Sequence, residues 1–165
     1  MIVREMTRRE SIDFLSDVRV GRLACAQDNH PYVVPINFAV TSDYLYSFSM
    51  PGQKIYWMRS NPHVCVQIDE FTGHREWRSV VIYGLYQELS DTPQWKSERE
   101  HAWTLLHDHP NWWEPGGLKP GPQPVVRTSS HVFYRIMIES LTGRQAIEGE
   151  AASAKNPGTA HTHGR

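Results

Sequence analysis

Apolar residues in this chain recur first at helical spacing and then, for most of its length, in β-like runs. Thr7-Arg8-Arg9-Glu10 is a capping box, and Ile12, Phe14, Leu15 and Val18 follow at intervals of one turn, which predicts an amphipathic helix over 7–18. Val20 to Ala26 is a short apolar strand, and the polar cluster Asp28-Asn29-His30-Pro31 predicts a turn after it. Tyr32 to Val40 is rich in β-formers but contains Pro35, which has no N–H to give to a ladder. That strand is expected to be an edge there, to be bulged, or to face a ligand with its unpaired side. Thr41-Ser42-Asp43 turns the chain into the alternating strand Tyr44–Ser49, and a short helix over 53–60 is stopped by Asn61-Pro62. His63–Asp69 and Ser79–Tyr86 read as two more strands, joined in a hairpin by a polar loop over 71–76. A helix over 93–109 carries Trp95, Trp103, Leu105 and Leu106 and ends at Pro110. The Pro- and Gly-rich stretch 110–124 is a loop, Val132–Ile138 is a last strand, and the tail 150–165 has the composition of a disordered segment. The pattern predicts one domain over 1–149, mainly β, with antiparallel strands in a small barrel and helices packed outside it.

One junction carries chemistry in its own right. Met50-Pro51-Gly52-Gln53-Lys54 joins a strand to a helix, where backbone N–H groups point outward with partial positive charge and Lys54 adds a full one. Such a turn can hold a phosphate; it is equally the form of an ordinary surface turn with a solvated lysine.

Composition narrows the classes. A chain of 165 residues with formal net charge −1 gives no electrostatic reason to expect nucleic acid or an anionic membrane as partner. No apolar run approaches the roughly 20 residues of a membrane span, and the first residues lack a signal-peptide core. Cys25 and Cys65 both lie in apolar β-like runs and read as buried hydrophobes in a reducing compartment, which predicts a cytoplasmic protein. Six tryptophans and seven tyrosines exceed the needs of so small a core and suggest a planar ligand or a large interface. Among nine histidines, His107-Asp108-His109 and His161-Thr162-His163 are close pairs without further ligands at recognised spacing, so no metal site is expected. No triad order, paired-carboxylate spacing or Walker sequence points to hydrolysis or phosphoryl transfer.

Six blocks in order carry a family likeness: Gly21-Arg22-Leu23-Ala24; Pro31 to Phe38; Tyr44 to Ser49 running into Gly52-Gln53-Lys54; Asn61 to Gln67; Trp77-Arg78-Ser79-Val80 with Gly84; and Thr142-Gly143-Arg144. Over about residues 5–146 the chain resembles the pyridoxamine 5′-phosphate oxidase-like flavoproteins, and within them the branch of nitroimidazole-reductase-type and flavin-nucleotide-binding proteins. The resemblance implies a six-stranded, FMN-binding split β-barrel of Greek-key character, with peripheral helices, working as a homodimer with two FMN molecules at its interface. It implies an FMN-dependent oxidoreductase that passes electrons or hydride to a small-molecule acceptor, with NADH or NADPH as a possible donor. The alternatives are a flavin or haem binder without catalysis, whose axial ligand would be His63 or His74, and a deazaflavin-dependent reductase.

The resemblance assigns roles residue by residue. Gly52, Gln53 and Lys54, led in by Ser47 and Ser49, match the phosphate-binding turn. Relatives often carry an arginine where this chain has Gln53, which makes a second cation, Arg78 or Arg144, more necessary. Val34, Pro35, Ile36 and Asn37 match the strand along the isoalloxazine; Asn37 reads equally as a solvent-face polar residue. Trp77 and Ser79 match the strand closing the site, although Trp77 also suits a dimer interface without touching flavin. Gln67 is a candidate flavin partner, while Asp69 is expected to pair with an arginine and Arg22 to form a surface salt bridge. Arg144 matches an arginine near cofactor or substrate, with an ion pair on the barrel rim as the other reading. Trp112 and Trp113 in the loop suit a cap over the flavin or an anchor to the barrel.

Overall fold

The structure is a computed structural model and describes residues 1–72, 75–107 and 131–147. Eight strands form one antiparallel sheet: β1 (Ile2–Met6), β2 (Val20–Gln27), β3 (His30–Asn37), β4 (Ala39–Val40), β5 (Tyr44–Ser49), β6 (His63–Thr72), β7 (Glu76–Glu88) and β8 (Val132–Ile147). Their order is β3-β2-β6-β7-β8-β5-β4, with β1 also paired to β8. Three helices, α1 (Arg8–Asp17), α2 (Gln53–Ser60) and α3 (Lys96–Leu106), are described, with a 3-10 turn at Pro93–Trp95. This is the split-barrel architecture: the sheet is not closed by a ladder, and its far ends meet where the Ser47 hydroxyl of β5 donates to the Asn37 carbonyl of β3 at 2.6 Å.

The local reasons are those of the residue pattern. Thr7 Oγ accepts from the Glu10 N–H at 3.2 Å and the Glu10 carboxylate accepts from the Thr7 N–H at 2.8 Å, so the capping box starts α1. Asp28 and Asn29 take positive φ (49° and 61°), the pair needed by a two-residue hairpin turn matched to strand twist. Pro35 sits on β3, which among the described residues pairs with β2 alone and is therefore an edge.

The six strands expected from the sequence are present, β5 with the expected bounds and β6, β7 and β8 with longer reach. β3 breaks at Phe38, whose side chain is buried and whose N–H turns to the Arg19 carbonyl, so β4 separates from it. The polar segment 71–76 is not all loop: Phe71 and Thr72 continue β6 and Glu76 opens β7, because cross-strand pairing carries the hairpin beyond its apolar part. β8 runs to Ile147, well past Ile138, since β7 flanks its polar half on one side and β1 on the other. The helix expected over 93–109 begins as the 3-10 turn, and Trp95 lies in that turn rather than in α3.

Two apolar clusters hold this together. The larger fills the concave face with Leu23, Val66, Ile68, Val80, Ile82 and Leu45, closed by Phe14 and Leu15 of α1 and Ile55 and Met58 of α2. The smaller joins Tyr46, Phe48 and Phe133 to Leu89 and to Ala102 and Leu106 of α3. Much of the aromatic excess is spent here: Trp57 packs edge-on against Tyr32, and Trp95 and Trp103 pack on the second cluster. Trp112 and Trp113, the 110–124 loop, His74, Asp108, His109, the histidines at 161 and 163, and the tail 150–165 lie outside the described residues.

Candidate functional site

The register fixes which side chains share the outer face of the sheet, because directly paired residues point the same way. One row runs Pro35, Arg22, Gln67, Val81, Thr142 across five strands, and the next runs Asp69, Ser79, Arg144, Glu5. Val33, Ala24, Cys65 and Tyr83 form a third row, in which Val33 and Tyr83 are 59% and 57% exposed.

A cleft of about 430 Å³ opens on this face, lined among others by Glu5, Trp77, Ser79, Thr142 and Arg144. Three residues anticipated from the sequence, Trp77, Ser79 and Arg144, are thus brought together. Arg78, the other candidate second cation, is committed elsewhere: it binds Glu70 at 2.5 Å and lies 4.6 Å from the centre of the Phe14 ring. No ion pair or side-chain hydrogen bond among the described residues holds Arg144. Glu5 and Met6 of β1 also line the cleft and were missed from the sequence, since the first strand has exposed, weakly patterned residues. The only available signal was the apolar pair Ile2-Val3 ahead of the capping box.

Beside the cleft stands a polar network. Arg22 Nη1 donates to Asp69 Oδ1 at 2.5 Å and to Gln67 Oε1 at 3.2 Å, while Gln67 Nε2 donates to Asp69 Oδ1 at 2.9 Å and to Ser79 Oγ at 3.4 Å. Asp69 therefore pairs with an arginine, as anticipated, and the partner is Arg22.

The remaining anticipated residues lie on β3, on β5 and at the start of α2. Gly52 is the N-cap of α2, in extended conformation, and among the described residues no side chain caps the helix and nothing lies within 4 Å of where a Cβ would stand. The backbone N–H groups at the start of α2 are thus open to an anion, with Lys54 half-buried in the first turn and Gln53 exposed. Lys54 lies close enough to Cys25 to oppose the rise that burial imposes on that thiol's pKa. Ser47 and Ser49 are buried, and their hydroxyls donate to the carbonyls of Asn37 and Met50, the latter at 2.8 Å. Within 34–37, Ile36 faces the core at 3% exposure and Val34 shares its side, while Pro35 is on the outer face with Arg22. Asn37 is buried rather than on a solvent face. The side chain at 36 is spent on packing, and Val34 is half-buried on the same side.

A second cavity of about 400 Å³ lies further along the outer face, lined by Cys65, Tyr83, His63, Gly84 and Glu139. It coincides with the irregularity at Tyr83/Gly84, where Glu139 is the extra residue of β8. His63 is thus away from the Trp77 cleft. Among the described residues no three His, Cys, Asp or Glu side chains are grouped to hold a metal ion.

The family model described as pyridoxamine 5′-phosphate oxidase matches residues 7–145. An uncharacterised protein of Rhizobium meliloti is 52% identical over 150 residues, covering 91% of this chain and 99% of its own. A crystal structure of a protein described as FAD-binding, from Mesorhizobium loti, is 48% identical with TM-score 0.76, covering 89% of this chain and all of the other. At 18% identity, a structure from Bacteroides thetaiotaomicron named for 5-nitroimidazole antibiotic resistance shares the fold with TM-score 0.62, covering 89% and 92% of the two chains.

Proposed function

The chain belongs to the pyridoxamine 5′-phosphate oxidase family, and within it we propose that it is a flavin-dependent oxidoreductase working as a homodimer. The observation that carries this reading is the uncapped N-terminus of α2 behind Gly52, with Lys54 in its first turn. A phosphate dianion there receives charge-assisted bonds from backbone N–H groups and from the ammonium. The same flavin mononucleotide unit occurs in FMN and in FAD, so the turn serves both, and FMN is the smaller ligand it requires. The FAD-binding description of the Mesorhizobium relative supports the flavin reading.

The other parts follow from what each group can do. The edge strand β3 presents backbone along Val34–Asn37 to the polar edge of the ring. The cleft contributes an indole, two hydroxyls and the cation of Arg144. Val33 and Tyr83, exposed on the outer face, support a second copy of the chain seated there, which would bring one protomer's cleft to the other's phosphate turn. When bound, the flavin supplies the electron chemistry, so the absence of a catalytic dyad is expected. The proposed acceptor is a small aromatic or nitro compound, with NADH or NADPH as donor. Two free cysteines, Cys25 and Cys65, go with a cytoplasmic setting, and no helix among the described residues is long and apolar enough to cross a membrane.

The test is a titration of apo-protein with FMN and with FAD, followed by absorbance and by mass in solution. Lys54→Ala is expected to weaken binding by about 1.5–3 kcal/mol, the range for a bond to a charged group. Unchanged affinity would remove Lys54 from the phosphate site. Bound, reducible flavin with no NADH- or NADPH-dependent turnover of nitroarenes would leave a flavin carrier in place of an enzyme.

A further inference from the structure

We infer that Arg22 and Gln67 together leave the Ser79 hydroxyl proton to be donated into the cleft, so that this wall holds an acceptor atom, such as a ring carbonyl. The inference rests on the flavin reading, in which that acceptor is a carbonyl of the ring's polar edge.

The argument is one of donor and acceptor inventory. A guanidinium only donates, so Gln67 Oε1, at 3.2 Å from Arg22 Nη1, is the acceptor end of its amide and the amide cannot be turned over. Its nitrogen then faces Asp69 Oδ1 at 2.9 Å and Ser79 Oγ at 3.4 Å, and an amide nitrogen only donates. Ser79 Oγ is therefore an acceptor towards Gln67, and its own proton is left for another partner. Among the described residues no bond uses that proton, and Ser79 lines the cleft. Asp69 anchors the arrangement, accepting from both Arg22 and Gln67 with its side chain 18% exposed. Strand register holds the four together, since Arg22 pairs with Gln67 and Asp69 with Ser79. Arg22 holds both the Asp69 carboxylate and the Gln67 amide oxygen; without it Asp69 loses the guanidinium that keeps it against the Gln67 amide, and with both ends released the amide can turn its oxygen to Ser79, which would then donate to Gln67 and not to the ligand. Arg22 is thus a positioning residue that acts through two side chains on a group lining the cleft.

The test compares wild type, Ser79→Ala, Ser79→Thr, Arg22→Ala, Arg22→Lys and the double variant Arg22→Ala/Ser79→Ala. Dissociation constants for FMN are measured in its oxidised and chemically reduced forms, with thermal midpoints alongside. Ser79→Ala is expected to weaken binding by about 3- to 10-fold, the worth of one ordinary hydrogen bond, and Ser79→Thr to keep it. The loss should be greater for the reduced form, whose carbonyls are more electron-rich. Arg22→Ala should lose part of the same factor, Arg22→Lys should regain it, and the double variant should bind no more weakly than Ser79→Ala alone. A purely structural Arg22 would move the thermal midpoint without this non-additivity. Additive losses, or an Arg22→Ala protein that binds as wild type while Ser79→Ala is impaired, would overturn the inference. Unaltered binding by Ser79→Ala, with wild type binding flavin, overturns it and leaves the flavin reading standing. A wild type that takes up neither FMN nor FAD overturns both.

Discussion

Ser47→Ala separates a structural role from a cofactor role at one atom. Ser47 is fully buried, and its hydroxyl makes a 2.6 Å bond to the Asn37 carbonyl between two strands that share no ladder. Removing one oxygen opens almost no cavity, so the packing cost is small and the cost lies in the lost bond. A buried carbonyl deprived of a donor is destabilised by about 1–3 kcal/mol, and the short distance places Ser47 in the upper part of that range. Urea denaturation of the apo-protein at neutral pH reads this directly: the midpoint should fall with little change in slope, because the surface exposed on unfolding is nearly the same. Flavin affinity, measured well below the melting range, should fall by less than for Lys54→Ala, since the Ser47 proton is already given to Asn37. A variant with wild-type midpoint and strongly weakened flavin binding would refute the reasoning. It would mean that the hydroxyl turns from Asn37 to the ligand, and that something else joins the two ends of the sheet.

Two further outcomes follow from the same structure. A Cβ at Gly84 would stand 2.3 Å from the Met137 carbonyl oxygen and 2.7 Å from Ile136 Cγ2, so Gly84→Ala must push β7 off β8 and should cost about 1–3 kcal/mol in urea denaturation, where a loss under about 0.5 kcal/mol would contradict the contact. Glu10 is held at a pKa of about 2 by its bond to Arg4 first and then by the Thr7 N–H and hydroxyl, below its ordinary 4.5. A depressed carboxylate stabilises the fold above the unfolded value and loses that contribution as pH falls towards 2, so the wild-type urea midpoint should decline across this window. Glu10→Gln should flatten that decline; an identical slope in the variant would remove Glu10 from the acid response.

What could be read from the sequence divides along a physical line. Elements whose apolar residues face one core were legible: the capping box and one-sided pattern of α1 and the apolar central part of β6 and β7 name their own structure, whereas the alternation of β5 gave the strand but not its burial on both faces, Leu45 in one cluster and Tyr46 and Phe48 in the other. Elements stabilised from outside were not. β1 has four exposed residues out of five and exists because β8 supplies its hydrogen-bond partners. The polar half of β8, from Glu139 to Gln145, reads as loop because its neighbours on both sides, and not its own hydrophobicity, make it a strand. The same two segments build a wall of the cleft, so the part of the fold hardest to see in the sequence is also the part that positions Arg144.

Site residues follow a similar division, between position and occupation. The motif blocks singled out Lys54, Ser79, Trp77 and Arg144; the structure puts the last three on one cleft and Lys54 in the first turn of α2. The blocks did not reveal which polar atoms are already engaged. Ser47 and Ser49, adjacent to the phosphate turn in sequence, have their protons on backbone carbonyls, whereas Ser79, an equally plain serine in a strand, has its proton available. For Ser47 and Ser79 that difference is decided by residues away in sequence, Asn37 ten positions from Ser47 and Arg22 45 positions from the Gln67 it orients, while Ser49 gives its proton to its own neighbour Met50. A hydroxyl's usefulness to a ligand is therefore a property of the hydrogen-bond network and not of the residue. Of three serines named by the same resemblance, only Ser79 is placed by the network to donate to something other than the protein itself.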